Sequence, residues 1–201
     1  MVFERLRVSI LVLCILLLPG ISQKSVSAEE SMPRLLSLSV HINGNEFSKG
    51  DRLAIEYCVN NDSPAESTII KWSGAPYPSS NLTFLDSKGK QLEIVKTAYY
   101  ELEFPLPKEA FITLQAGQKH CLRFLGVIDI EKLEETTEGK IPRRILRFDN
   151  SYVVLDKVQT FKIIGKYEID SSSQIEWEKL YNFLGVWVGK LTSAAVEVTV
   201  A

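Results

Sequence analysis

Stretches of this chain alternate apolar and polar residues with a period of two, and that pattern restricts the fold more than any other feature. Leu36, Leu38, Val40 and Ile42 alternate with Ser37, Ser39 and His41. Leu53, Ile55, Tyr57 and Val59 alternate with Ala54, Glu56, Cys58 and Asn60. Phe161, Ile163, Tyr167 and Ile169 fall in phase, and Ala194, Val196, Val198 and Val200 share one face. Successive side chains of a strand point to opposite faces, so each stretch reads as a strand with one face buried.

Shorter runs fill the gaps. Ser67–Trp72 reads as a strand. Asn81–Val95 reads as a hairpin turning at Ser87–Lys90. Two strand pieces flank Ala116–Gly117, and Arg144–Phe148 and Ser151–Leu155 read as two more. Asp129–Arg144 is a charged excursion with one helical turn expected in it. One short amphipathic helix is expected over 173–184, where Trp177, Leu180, Tyr181 and Leu184 recur at helical spacing. Ser172 or Ser173 caps its start and Gly185 its end. About eight strands separated by turn signals specify an all-β fold, an antiparallel immunoglobulin-like β-sandwich, with a barrel as the alternative.

The first 28 residues stand apart. Arg5 and Arg7 precede an apolar run from Val8 to Leu18, Pro19-Gly20 ends it, and Val26-Ser27-Ala28 supplies small residues. This is the layout of a secretory signal peptide cleaved after Ala28, which leaves 29–201 as a single domain. The run is too short for a comfortable membrane span of about 20 residues. The whole chain carries a net charge of −2, and losing Arg5, Arg7 and Lys24 with Glu4 makes the remainder more acidic. Such a balance excludes the strongly basic face that nucleic-acid binding requires. The expected location is periplasmic or extracellular.

Cys14 leaves with the leader, so Cys58 and Cys121 remain. Two cysteines in an oxidising compartment point to a disulfide. It would stabilise the domain by roughly 4 kcal/mol in the chain-entropy model. His41 and His120 are the only histidines, and no paired-cysteine or His-Glu-x-x-His spacing accompanies them, so no metal or cofactor is implied. Strand parity places Cys58 with Glu56 and Asn60, and Cys121 with Lys119 and Arg123, both away from the apolar face. That parity favours a solvent-side cross-strand staple over a bridge through the core between two sheets; a register error of one residue would reverse it.

The order "SLSV…KGDRLAIEYCVNN", "TIIKWSGAP", "NLTFLDSKGKQLE", "ITLQAGQKHCLRF" and "GKYEI", followed by "WVGKLTSAAVEVTV", resembles a bacterial exported immunoglobulin-like sandwich. It is similar to the non-catalytic domain beside deuterolysin-type zinc peptidases. The resemblance implies a fold and no catalytic residue, because the peptidase's metal-binding motif is missing.

No Gly-x-Ser-x-Gly elbow, phosphate loop, dinucleotide fingerprint or calcium loop occurs. Two stretches carry binding chemistry. Tyr99, Tyr100 and Phe104 beside Pro105-Leu106-Pro107 could stack on sugar rings or anchor a protein. Arg143, Arg144 and Arg147 could grip carboxylates or phosphates, or could guard an edge strand. The expected function is that of a non-catalytic exported binding domain for an extracytoplasmic protein or glycan, with Tyr99–Pro107 and Ser73–Ser80 as contact loops. A secreted peptidase inhibitor, with "GAPYPSS" entering a cleft, is the alternative; an enzyme with an unrecognised site comes third.

Overall fold

The computed structural model describes residues 35–71, 78–97, 106–136, 139–155, 159–170 and 185–201, with side chains outside 131–142 and Ser79. The expected signal peptide, the helix over 173–184, Tyr99, Tyr100 and Phe104 lie outside them. So does most of the Ser73–Ser80 loop; its end forms α1, a single turn at Pro78–Asn81.

The alternating stretches form strands, and the fold is the expected antiparallel all-β sandwich. In chain order they are β1 (Leu36–Ile42), β2 (Glu46–Phe47), β3 (Arg52–Asn61), β4 (Ser67–Ile70), β5 (Leu82–Asp86), β6 (Ile94–Lys96) and β7 (Phe111–Leu114). Then follow β8 (Lys119–Thr136), β9 (Gly139–Phe148), β10 (Ser151–Val154), β11 (Thr160–Ile169), β12 (Gly189–Thr192) and β13 (Val196–Val200). Thirteen strands stand among the described residues, against the eight or so expected, because short pairings such as β2 and β6 leave too few residues to show a period. One sheet runs β1-β3-β8-β9-β10-β6; the facing sheet centres on β11, flanked by β5 on one side and by β12 and β13 on the other.

The core lies between the sheets. Leu53, Ile55, Tyr57 and Val59 of β3 meet Phe161, Ile163 and Tyr167 of β11, all of them buried. Phe84 packs against Phe148 and Phe161 at centroid distances of 6.1 and 6.3 Å. Two tyrosines tie layers together by their hydroxyls. Tyr57 donates to the Lys166 carbonyl at 2.8 Å. Tyr167 accepts from the Ile70 N–H at 3.0 Å and donates to the Ile70 carbonyl at 2.9 Å, satisfying both buried groups. Gly165 permits the close approach of β1 to β11, since a Cβ there would stand 2.8 Å from Val40 Cγ2.

Two local expectations fail. The Asn81–Val95 hairpin starts as expected: Asp86 Oδ1 accepts from the N–H groups of Lys88 and Lys90, and Leu92 N–H donates to Phe84. The chain then leaves, so that β5 pairs with β11 and β6 with β10 in the other sheet. The described residues of the charged excursion form no helical turn. It is the outer part of a long hairpin in which Glu131 faces Arg143 and Glu135 faces Lys140, with a bulge between Lys132 and Glu134. Opposite charges at paired positions suit a cross-strand ladder.

Candidate functional site

The two-residue period gives the six-stranded sheet an outer face, turned away from the core. On β3 it presents Arg52, Ala54, Glu56, Cys58 and Asn60; on β8 it presents Lys119, Cys121, Arg123, Leu125, Val127 and Asp129.

The cysteines stand directly opposite each other in this ladder and are bridged, with an S–S distance of 2.04 Å and a Cα–Cα distance of 4.1 Å. The bridge is therefore cross-strand, within one sheet. It is less open than a solvent-side staple: Cys58 is fully buried and Cys121 half-buried. A carboxylate oxygen of Glu56 lies within 4.8 Å of both sulfurs. In the bridged state neither sulfur is a thiolate, the form that ligates metals, so the trio lacks the donors of a thiolate metal site.

Further along β8 the outer face opens. Leu125 is 55% exposed and Val127 36%. Val127 has a special place, because it is the residue of β8 that pairs on both sides, with Arg52 of β3 and Arg147 of β9. The row continues through Tyr152 of β10 to Val95 of β6. Arg147 Nη2 meets Asp129 Oδ2 at 2.9 Å beside it. The result is an apolar pair rimmed by Arg52, Arg123 and an Arg147–Asp129 ion pair. Next to it Ile145 and Val154, on the same side of the sheet, are buried and mark where the open area ends.

The three arginines do not converge. Arg143 and Arg147 share the outer face, and Arg143 Nη2 lies 4.0 Å from Glu93 Oε2. Arg144 has the opposite parity and donates to the Val200 carbonyl of β13 at 3.4 Å, which ties the base of the hairpin to the facing sheet. A single anion could not meet all three. Leu125 and Val127 were missed as site residues because an apolar residue in a strand reads as core; their odd parity within "CLRFLGV", out of phase with Leu122 and Phe124, was the available signal.

A groove of about 790 Å³ runs along Asp86, Lys90, Leu92, Glu93, Arg143 and Leu155. Its two carboxylates have other work: Asp86 caps the turn and Glu93 lies near Arg143. His120 is half-buried opposite Val59, and its Nε2 is buried without a hydrogen-bond partner among the described residues. Burial, and secondarily the neighbouring Lys71 charge, hold its imidazole below the usual histidine range. A backbone hydrogen bond at Lys71 opposes the shift without reversing it. His41 is exposed on β1, paired in register with Glu56.

No known protein family matches this chain, and no curated protein does. Among the described residues no helix is long and apolar enough to cross a membrane.

Proposed function

We propose that the chain is an exported, non-catalytic binding domain, and that it holds an extracytoplasmic protein on the outer face of its six-stranded sheet. The observation that carries this reading is the exposure of Leu125 and Val127 side by side on a disulfide-stapled strand. Neighbouring apolar side chains with a polar and arginine-bearing rim form the usual centre of a protein contact. The staple two rows away keeps the strand registered, so little order remains to be gained on binding. Export is supported by the leader layout and by the disulfide.

The test is photo-crosslinking from position 125 in the native cells, followed by capture and mass spectrometry. A dominant protein partner is expected, lost when Val127→Lys is added. Both positions are open to solvent, and such substitutions usually change stability by no more than about 0.5 kcal/mol. An unchanged crosslink pattern in the double variant, or a partner mapped to another face, would overturn the assignment. If the captured protein is a peptidase that the domain inhibits, the contact face stands and the inhibitor reading specifies its purpose.

A further inference from the structure

The strand at the margin of the larger sheet is unlike the other margins. β1 has seven residues, Leu-Ser-Leu-Ser-Val-His-Ile, and none is Lys, Arg, Asp, Glu, Pro or Gly. β6 has three residues and ends on Lys96; β2 has two; β12 has four and carries Lys190; β5 ends on Asp86. β8 runs past β3 at one end and past β9 at the other, and those unpaired lengths carry Lys119 and Arg123 or Asp129 and Glu131. Folded sheets ordinarily protect their margins by shortness, charge or proline. β1 uses none of these.

The backbone directions are legible from two hydrogen bonds at its ends. Asn43 N–H donates to the Ala54 carbonyl at 3.2 Å, and Asp62 N–H donates to the Leu35 carbonyl at 2.9 Å. The odd-numbered residues of β1 therefore turn their peptide groups toward β3. Leu36, Leu38, Val40 and Ile42 turn theirs the other way, where no strand lies among the described residues.

We propose that this margin pairs with β1 of a second copy of the same chain, about a two-fold axis through Ser39. Antiparallel pairing on that axis sets Leu38 opposite Val40 of the second copy and Leu36 opposite Ile42. These are the residues whose N–H and C=O groups are directed outward, so each pair exchanges two hydrogen bonds. Ser39 then faces its own copy, and Ser37 faces His41. The pleat stays in phase: the apolar residues of both strands continue the inner face and the serines and histidines the outer one. No like charges meet. A second copy is the preferred occupant because β1 alternates symmetrically about Ser39, so a two-fold axis there sets every apolar residue opposite an apolar one and gives the self-complementary contact of a two-fold dimer. The pairing joins the two large sheets edge to edge and sets both outer faces on one side. It does not depend on the function proposed above.

The test is the mass of the purified oxidised protein in solution, by sedimentation velocity up to about 100 μM. A dimer is expected. Ser39→Lys places two ammonium groups face to face across the axis and should weaken the dimer by about tenfold or more. Ser39 also accepts from Asn60 Nδ2 at 3.3 Å, so a second experiment separates pairing from local damage. Ser37→Cys and His41→Cys proteins, mixed and oxidised, should give a mixed disulfide-linked dimer, whereas neither alone should. Directly opposed cysteines already bridge in this sheet, at Cys58 and Cys121. A monomer throughout the range, a dimer that fails to give the mixed disulfide product, or an edge occupied by an extended segment of another protein would each overturn the proposal.

Discussion

Strand β8 is held in two different ways along its length. From Lys119 to Val127 it pairs with β3, over a buried row of Ile55, Tyr57 and Phe124, with the Cys58–Cys121 bridge near the Lys119 end of the ladder. From Val127 to Thr136 it pairs with β9, where Glu131 stands in register with Arg143 and Glu135 with Lys140, while Asp129 stands opposite Ile145 and Glu134 opposite Ile141. Ile130, on the inner side of this second length, is 45% exposed. The first half is thus registered by burial and a covalent link; in the second, burial continues at Ile128, Ile145 and Leu146, and oppositely charged register positions follow only beyond Ile130. A slip of one residue in the first half, or in the second as far out as Ile128 and Leu146, would expel core residues, while further out it would mismatch charges. The handover falls at Val127, inside the exposed apolar pair, so the proposed contact face lies where the sheet passes from its disulfide-held half to its hairpin half.

The first half is the place to expect the largest loss. Replacing both cysteines by alanine frees a loop with a sequence separation of 63 and should lower stability by about 4 kcal/mol, measured as a shift in the urea midpoint at constant slope. If the β3–β8 ladder alone set the register, the midpoint would hardly move. A smaller loss is expected at the handover. Gly126 sits beneath Leu146 and Phe148; a Cβ there would stand 2.6 Å from Leu146 Cδ1 and 2.9 Å from Phe148 Cε1. Gly126→Ala should cost about 1–3 kcal/mol by overpacking, with the cost divided between the two halves because both cross this point. Amide exchange would show protection lost on β3 and β9 alike; loss on β9 alone would confine the strain to the hairpin.

The second half should be robust by comparison. Asp129→Asn removes the 2.9 Å ion pair with Arg147, whose side chain is 49% exposed. Pairs this open are worth about 0.2–1 kcal/mol. The loss should fade in high salt, where exposed charges are screened. A loss that survives salt would mean that the pair positions the backbone rather than contributing charge attraction.

The same contrast explains what could be read from the sequence. The first half was legible because burial enforces the period: the parity of Leu53 to Val59 gave the strand, and the parity of Cys58 and Cys121 gave a cross-strand bridge on the outer face. Parity could not show that Cys58 would be covered, since its neighbours on adjacent strands, Ser39 among them, come from distant parts of the chain. The second half was illegible as strand because its regularity exists only between Asp129–Thr136 and Gly139–Ile145, and neither segment alternates by itself. The departure of β6 from its apparent hairpin was equally hidden, because its partner β10 lies more than fifty residues further on. At the candidate face, Leu125 and Val127 carried a parity signal, while Arg144 was grouped with Arg143 by adjacency when adjacency in a strand means opposite faces.

His120 offers the smallest test, because it involves one proton on a half-buried ring of the first half. Its folded-state value lies below the ordinary histidine value of about 6.5, chiefly through burial and then through Lys71. The unfolded chain therefore takes up its proton at higher pH than the folded one does. The stability this neutral ring contributes is fully present above about 6.5 and is lost as pH falls through that value toward the folded one. His120→Gln should flatten this part of the stability profile while leaving the neutral-pH behaviour of the hairpin unchanged. The check is the urea midpoint across that window, with the imidazole titration followed by nuclear magnetic resonance. A ring that titrates at or above about 6.5 would show that the packing around β3 and β8 leaves His120 open to water, and would move the boundary of the disulfide-held half closer to the bridge.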